Sequence, residues 1–243
     1  MEKQEFGSHV SGSFNRALEE LFNQVLEMGG LVERQLASAI HAVQNYDINE
    51  AKEVINLDKL VNQQEIEIDR LSVRLLARQQ PTASDLRLVI AAIRLGVDLE
   101  RMGDEVVKIA NMVVHIAEMD DGRCQGLNGY KQLIEIASRA TEMLQKALNA
   151  FVRLDIKGCG SIIEEEERVD ELFKVTTDEV MALFKDSDVD VVCLFELIYA
   201  LRASERITDH ARNMAETIIY LVNGQEMRNI DPNRLAEFLE NIS

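Results

Sequence analysis

The chain has 243 residues, 47% of them hydrophobic and 28% charged, with a formal charge of −17. Apolar material on that scale builds a folded core in one or two units and excludes a disordered chain. The negative balance repels nucleic-acid backbones and anionic lipid surfaces, and leaves cations and basic protein surfaces as compatible partners.

The opening stretch, MEKQEFGSHVSGSF, lacks the basic start and apolar run of a secretory leader. Helix-forming residues then dominate, and breaks are expected near Asn45–Asp47, Gln79–Pro81, Asp120–Gly129, Leu154–Gly160, Asp186–Asp188 and Asn223–Gly224. They divide the chain into six helical stretches and a short helical tail, several approaching thirty residues, or roughly 45 Å of helix. Pro81 ends the second stretch, Thr82 or Ser84 caps the third, and Asp85 suits its N-terminal dipole. The 12 glycines are expected mostly near helix ends, and the fold class is all-α. Even VDVVCLFELIYAL carries Asp190 and Glu196, so no run of about 18 apolar residues is present to span a bilayer. Cys124, Cys159 and Cys193 are odd in number and lack C-x-x-C spacing, which suits ordinary thiols of a soluble, cytoplasmic protein.

The two halves repeat each other. An offset of 108 positions lays Leu36 on Leu144, Ala39 on Ala147, Ala42 on Ala150, Asp47 on Asp155 and Val61 on Val169. After the loop at Pro81 the offset becomes 105, laying Ile93 on Ile198, Glu100–Arg101 on Glu205–Arg206, and Asp104 on Asp209. A run in constant register is an internal repeat, so the expected architecture is two tandem three-helix bundles, residues 1–122 and 123–243.

Within the third stretch, Leu99, Met102, Val106, Ile109, Val113 and Ile116 share one helical face, the expected core side. Leu86, Ile93, Val97, Glu100, Asp104 and Val107 share another, so two acids one turn apart interrupt a partly apolar stripe. The sixth stretch does the same, with Val191, Leu194, Ile198, Glu205 and Asp209 opposite a core side of Ala203, Ile207, Ala211, Met214, Ile218 and Leu221. The second and fifth stretches add Asp58 with Asn62 and Glu166 with Asp170, again four apart, and Glu65 and Asp69 extend the first of these. Like charges at that spacing destabilise a helix by roughly 0.2–0.5 kcal/mol per pair, and a bound cation removes the penalty. Oxygen ligands without convergent His or Cys favour Mg, Mn or Fe over structural zinc. The competing expectation is a solvated acidic face neutralised by Arg101, Lys108, Arg206 and Arg212.

Other chemistry is thin. His9, His41, His115 and His210 are scattered, with His210 expected at the surface, and Met28, Met102, Met143 and Met214 are expected in the core. No phosphate-cradling glycine motif or nucleophile motif occurs. A carboxylate-bridged di-metal enzyme would need Glu-x-x-His pairs, and no histidine stands so beside Glu100 or Glu205.

The loop QQPTASDLR, Gln79 to Arg87, followed by DLERMGD, the repeated E-R-x-x-D and the two three-helix repeats together resemble the PhoU family along essentially the whole chain. The resemblance implies a non-enzymatic negative regulator of the phosphate-starvation response. Its implied partners are the ATPase subunit of a phosphate ABC transporter, a phosphate sensor histidine kinase and a second copy of the chain, with membranes reached only through those partners. A metal buffer or scaffold without a signalling role is the alternative. The resemblance further implies a divalent or trivalent metal ion, Mg, Mn, Fe or Zn, held by Glu100, Asp104, Glu205 and Asp209, with Asp58, Glu166 and Asp170 as co-ligands. Where the family has Arg before the Glu and Asn after the Asp, the second half keeps Arg202 and Asn213 but the first has Val97 and Lys108. Lys108 is expected to neutralise part of the first cluster, making that site the weaker one or leaving it empty.

Overall fold

The computed structural model describes residues 12–81, 83–119, 124, 127, 129–185, 189–227 and Phe238. The expected cap Thr82, the break at Asp186–Asp188 and the tail beyond Met227, apart from Phe238, lie outside the described residues. Every long element is α-helical: α1 Gly12–Asn45, α2 Ile48–Gln79, α3 Ala83–Glu118, α4 Gly129–Arg153, α5 Ile156–Leu183 and α6 Val191–Asn223. Helices α1–α3 pack together, α4–α6 pack together, and α3 on α6 and α1 on α4 join the two three-helix bundles.

The repeat is visible in the hairpin turns. Tyr46 and Leu154 both take φ of 54°. Asp47 N–H donates to the Ala42 carbonyl at 3.0 Å and Asp155 N–H to the Ala150 carbonyl at 2.9 Å, closing equivalent helix ends. The same two aspartates then cap the following helices, accepting from Asn49 and Glu50 in α2 and from Lys157 in α5. The break expected over Leu154–Gly160 is therefore only the turn at Leu154–Asp155, because Asp155 starts α5 at once and Gly158 and Gly160 lie inside it. At Pro81 the chain turns through Gln80 at φ 45°. Ser84 lies within α3 and does not cap it, whereas Asp85 does occupy its first turn.

Leu36, Ala39 and Ala42 of α1 and their counterparts Leu144, Ala147 and Ala150 of α4 are all buried, so the repeated residues are core residues. The core stripes expected on α3 and α6 are buried as well, as are the four methionines. Leu194 departs from its expected face: it is fully buried, because α6 is packed by α3, α4 and α5 together. Nor do the glycines keep to helix ends. Gly29, Gly30, Gly96 and Gly103 all sit inside helices. Close approach explains Gly29, where an added Cβ would lie 2.3 Å from Leu148 Cδ2 across the α1–α4 contact.

The cysteines also depart from expectation. Cys124, beyond the end of α3, is disulfide-bonded to Cys193 in the first turn of α6, and only Cys159 is free and buried. The thiols expected from sequence spacing thus include a pair that tertiary packing brings together over a separation of 69 residues. Closing a loop of that size is worth about 4 kcal/mol in the chain-entropy account. Burial pushes the Cys159 thiol up to about 12. Thiol titration should therefore find one reactive group in the denatured, unreduced chain and three after reduction, with none reacting rapidly in the native state. Three thiols without reductant would show that the pair is not oxidised.

Candidate metal centre

The second bundle gathers its acids most tightly. Glu166 and Asp170 on α5 and Asp209 on α6 each offer an oxygen within 4.8 Å of the others. Glu205, one turn before Asp209, is only 5% exposed, and its Oε2 is buried without a hydrogen-bond partner. Burial first, then the charge of Asp209, pushes the Glu205 carboxyl up to about 7, against the opposing pull of Arg202. Asp209 is also raised, by burial and then by Asp170. Burial raises Glu166 too, although its bond from Arg212 Nη1 at 2.7 Å works the other way. Four clustered carboxyls, with Glu166, Glu205 and Asp209 resisting ionisation and one oxygen of Glu205 buried and orphaned, are a donor set that a cation would complete.

In the first bundle Asp58 on α2 faces Glu100 and Asp104 on α3. Burial and then Asp104 raise Asp58, while Glu100 is raised by burial, then by Asp104, Glu65 and Asp58. Glu65 is raised by burial and by Asp69, so the extension of the stripe along α2 joins the same field. Asn62, where the repeat has a carboxylate, donates Nδ2 to Asp58 Oδ2 at 3.2 Å. The structure therefore brings Asp58, Glu100 and Asp104 together in one bundle and Glu166, Asp170, Glu205 and Asp209 in the other. Among the described residues only the second reaches a convergence of three acidic ligands.

The bases do not distribute as expected. Lys108 Nζ turns to Glu105 Oε1 at 2.8 Å and not to Asp104, so it does not damp the first cluster as its spacing suggested. Arg206, from the other bundle, meets the same Glu105 oxygen at 3.3 Å. It is the second cluster that carries strong bases, Arg202 on Glu205 at 2.8 Å and Arg212 on Glu166. The physical reason is that helical spacing sets which bases can reach a cluster, while packing between bundles decides which acid each one meets.

Glu105 was not singled out from the sequence, although its repeat counterpart is His210 and that register could have found it. His210, expected at the surface, is buried, with Nδ1 3.0 Å from Asp98 Oδ1 of α3. The Glu105–Arg206 ion pair and the Asp98–His210 hydrogen bond thus form two polar ties across the α3–α6 seam. Beside them lies a groove of about 320 Å³ lined by Glu100, Asp104, Glu105, Lys108 and Arg206.

Comparisons with known proteins agree with this arrangement of two like bundles. The PhoU domain matches twice, over residues 25–113 and 133–218, which hold both acidic clusters. The chain is 38% identical to the phosphate-specific transport system accessory protein PhoU homolog of Pseudomonas aeruginosa, over 96% of this chain and 95% of that one. It is 36% identical to the phosphate-specific transport system accessory protein PhoU of Escherichia coli, over 98% and 97%. Among solved structures, PhoU from Pseudomonas aeruginosa superposes with a TM-score of 0.82 at 39% identity, covering 87% of this chain and 100% of that one. The phosphate transport system regulatory protein PhoU from Streptococcus pneumoniae gives 0.80 at 30% identity, covering 88% and 99%. With both bundles matched and relatives aligned over nearly their full length, the chain belongs to the PhoU family.

Proposed function

We propose that the protein is a cytoplasmic negative regulator of the phosphate-starvation response and a modulator of high-affinity phosphate uptake. It acts as a metal-binding adaptor between the phosphate ABC transporter and a sensor histidine kinase, without catalysing a reaction itself. The observation that carries this reading is the near-complete match to phosphate-specific transport system accessory proteins. Its partners are then the transporter's ATPase subunit, the kinase and a second copy of the chain. No helix among the described residues is long and apolar enough to cross a membrane, and the acidic charge disfavours direct lipid contact, so membrane association runs through those partners.

The metal-binding element draws support from the orphaned Glu205 oxygen and the raised carboxyls around it. Glu166, Asp170, Glu205 and Asp209 would hold one ion, with Asp58, Glu100 and Asp104 holding another more weakly. A bound ion would supply positive charge that joins α5 to α6 and α2 to α3, stiffening the faces that partners meet. Mg, Mn and Fe suit these oxygen sets, and Zn is the less natural occupant.

Deleting the gene should give phosphate-starvation gene expression in phosphate-replete cells, read as alkaline phosphatase activity. Capture of the ATPase subunit and the kinase from such cells should weaken for the chain carrying Asp209→Asn and Glu205→Gln. Repression that survives deletion would overturn the regulatory reading and leave a metal buffer or scaffold.

A further inference from the structure

We propose that Gln35 of α1 is a ligand of the first cation site, so that a third helix supplies a neutral amide oxygen and the two bundles hold cations by different chemistry. This rests on the metal-binding reading above and adds a residue to it. Gln35 is fully buried, and its Oε1 has no hydrogen-bond partner. Its amide nitrogen faces two acceptors, the Val54 carbonyl at 3.3 Å and Asp58 Oδ1 at 3.4 Å, which fixes which end of the amide is the oxygen. A buried acceptor left unsatisfied costs about 1–3 kcal/mol, so its retention beside a carboxylate cluster calls for a compensating partner.

Gly103 shows where that oxygen points. Gly103 lies on α3 between Glu100 and Asp104, and a Cβ added there would sit 2.9 Å from Asp58 Oδ1 and 3.3 Å from Gln35 Oε1. Carboxylate and amide oxygen thus converge on the same bare patch of α3, flanked by the two acids of the first site. Asn62 repeats the pattern from α2: its nitrogen is held by Asp58 at 3.2 Å, while its buried Oδ1 has no partner. Two amides with occupied nitrogens and orphaned oxygens beside three carboxyls form an all-oxygen set suited to a hard divalent cation.

The second bundle shows that packing does not require the amide. At the repeat offsets, Gln35 becomes Met143, Asp58 becomes Glu166, Asn62 becomes Asp170 and Gly103 becomes Thr208. Met143 is as fully buried as Gln35, so an apolar side chain fills this position without difficulty. In the second bundle the longer Glu166 and the charged Asp170 reach Asp209 unaided. In the first, the shorter Asp58 and neutral Asn62 fall short of that convergence, and the amide oxygen of Gln35 takes the remaining place.

The test uses the full chain with the second site silenced by Asp170→Asn and Asp209→Asn, and follows Mn²⁺ binding by loss of the free-ion electron paramagnetic resonance signal. In that background Gln35→Met should weaken Mn²⁺ binding about 10-fold or more, in line with loss of a site-supporting group. The thermal midpoint of the metal-free chain should change little, because removal of the orphaned acceptor offsets loss of the two long bonds that the amide nitrogen donates. Gln35→Glu, which keeps an oxygen in place, should bind Mn²⁺ at least as well as the background. Unchanged binding in Gln35→Met overturns the assignment, as does weaker binding accompanied by a matching drop in midpoint, the signature of a purely structural amide. Should Gln35→Met not fold, lost binding in a folded Gln35→Glu overturns it equally. No Mn²⁺ bound by the background chain overturns both this assignment and the metal reading of the first bundle, whereas the Gln35 outcomes leave that reading standing.

Discussion

Glu205→Gln should raise the thermal midpoint of the metal-free protein at pH 8 by about 4 °C and remove most of its stabilisation by metal. The carboxyl of Glu205 sits at about 7 in the folded chain against an ordinary 4.5, raised by burial and then by Asp209. A carboxyl raised on folding favours the folded state while protonated. Its contribution is complete below pH 4.5 and is lost as pH rises through 7. The full shift corresponds to at most about 3 kcal/mol, and screening at the open side of the site reduces that to about 1–2 kcal/mol. Glutamine carries no charge to desolvate, so the variant should lose much of the decline between pH 5 and 8 that the natural chain shows. Asp58, Glu100, Glu166 and Asp209 are shifted in the same direction and leave the variant a residual slope.

Metal supplies the counter-experiment. With Mn²⁺ present the natural chain should gain stability at pH 8, where its carboxylates are ionised, and gain little at pH 5, where protons compete for the same oxygens. Glu205→Gln should gain less at both. Scanning calorimetry at the two pH values, with and without Mn²⁺, reads all of these quantities. A variant whose pH profile overlays that of the natural chain would show that Glu205 ionises normally in the folded protein.

Much of this architecture is legible in the sequence because helical periodicity and an internal repeat constrain each other. Asp47 and Asp155 illustrate it: each ends an apolar run, each matches the other at the repeat offset, and each caps a helix. The acidic pairs are legible for the same reason, since positions four apart on a helix must share a face. What periodicity does not contain is the partner across a packing interface. Lys108 lies within reach of Asp104 and Glu105 alike, and the structure places it on Glu105, which Arg206 of the other bundle also engages. Gln35 lies in the same buried register as Leu36 and Ala39, where nothing in the one-dimensional pattern marks an amide as different from a methionine. The Cys124–Cys193 pair is hidden likewise, because its geometry comes from docking the end of α3 near the start of α6.

Arg212→Val, which gives the second half the residue of the first at this register, should destabilise the metal-free protein by about 3 kcal/mol. Arg212 reaches Glu166 Oε2 at 2.7 Å and Glu216 Oε1 at 3.3 Å, and both glutamates are nearly buried, 6% and 5% exposed. Without the guanidinium, Glu166 keeps the cost of burial and the repulsion of Asp170 and Asp209 but loses the group that offsets them. Removing one partner of a buried pair is much worse than replacing both, so the loss should appear as a lower urea midpoint with an unchanged slope. The same guanidinium occupies an oxygen that a cation would use. Metal binding at the second site should therefore tighten in Arg212→Val, and saturating Mn²⁺ should close most of the stability gap, because the ion takes over the charge that Arg212 supplied. If instead the variant stays below the natural chain by the same margin with and without Mn²⁺, Glu166 is a structural partner of Arg212 alone and not a ligand. In the first bundle Val107 stands at this position and Asp58 is held by the amides of Gln35 and Asn62, so among the described residues no arginine bonds the Asp58 carboxylate. A cation entering there meets weaker internal competition but a looser set of carboxylates. Exchange between arginine and metal would thus belong to the second site, where filling the site and releasing a strong ion pair would be the same event.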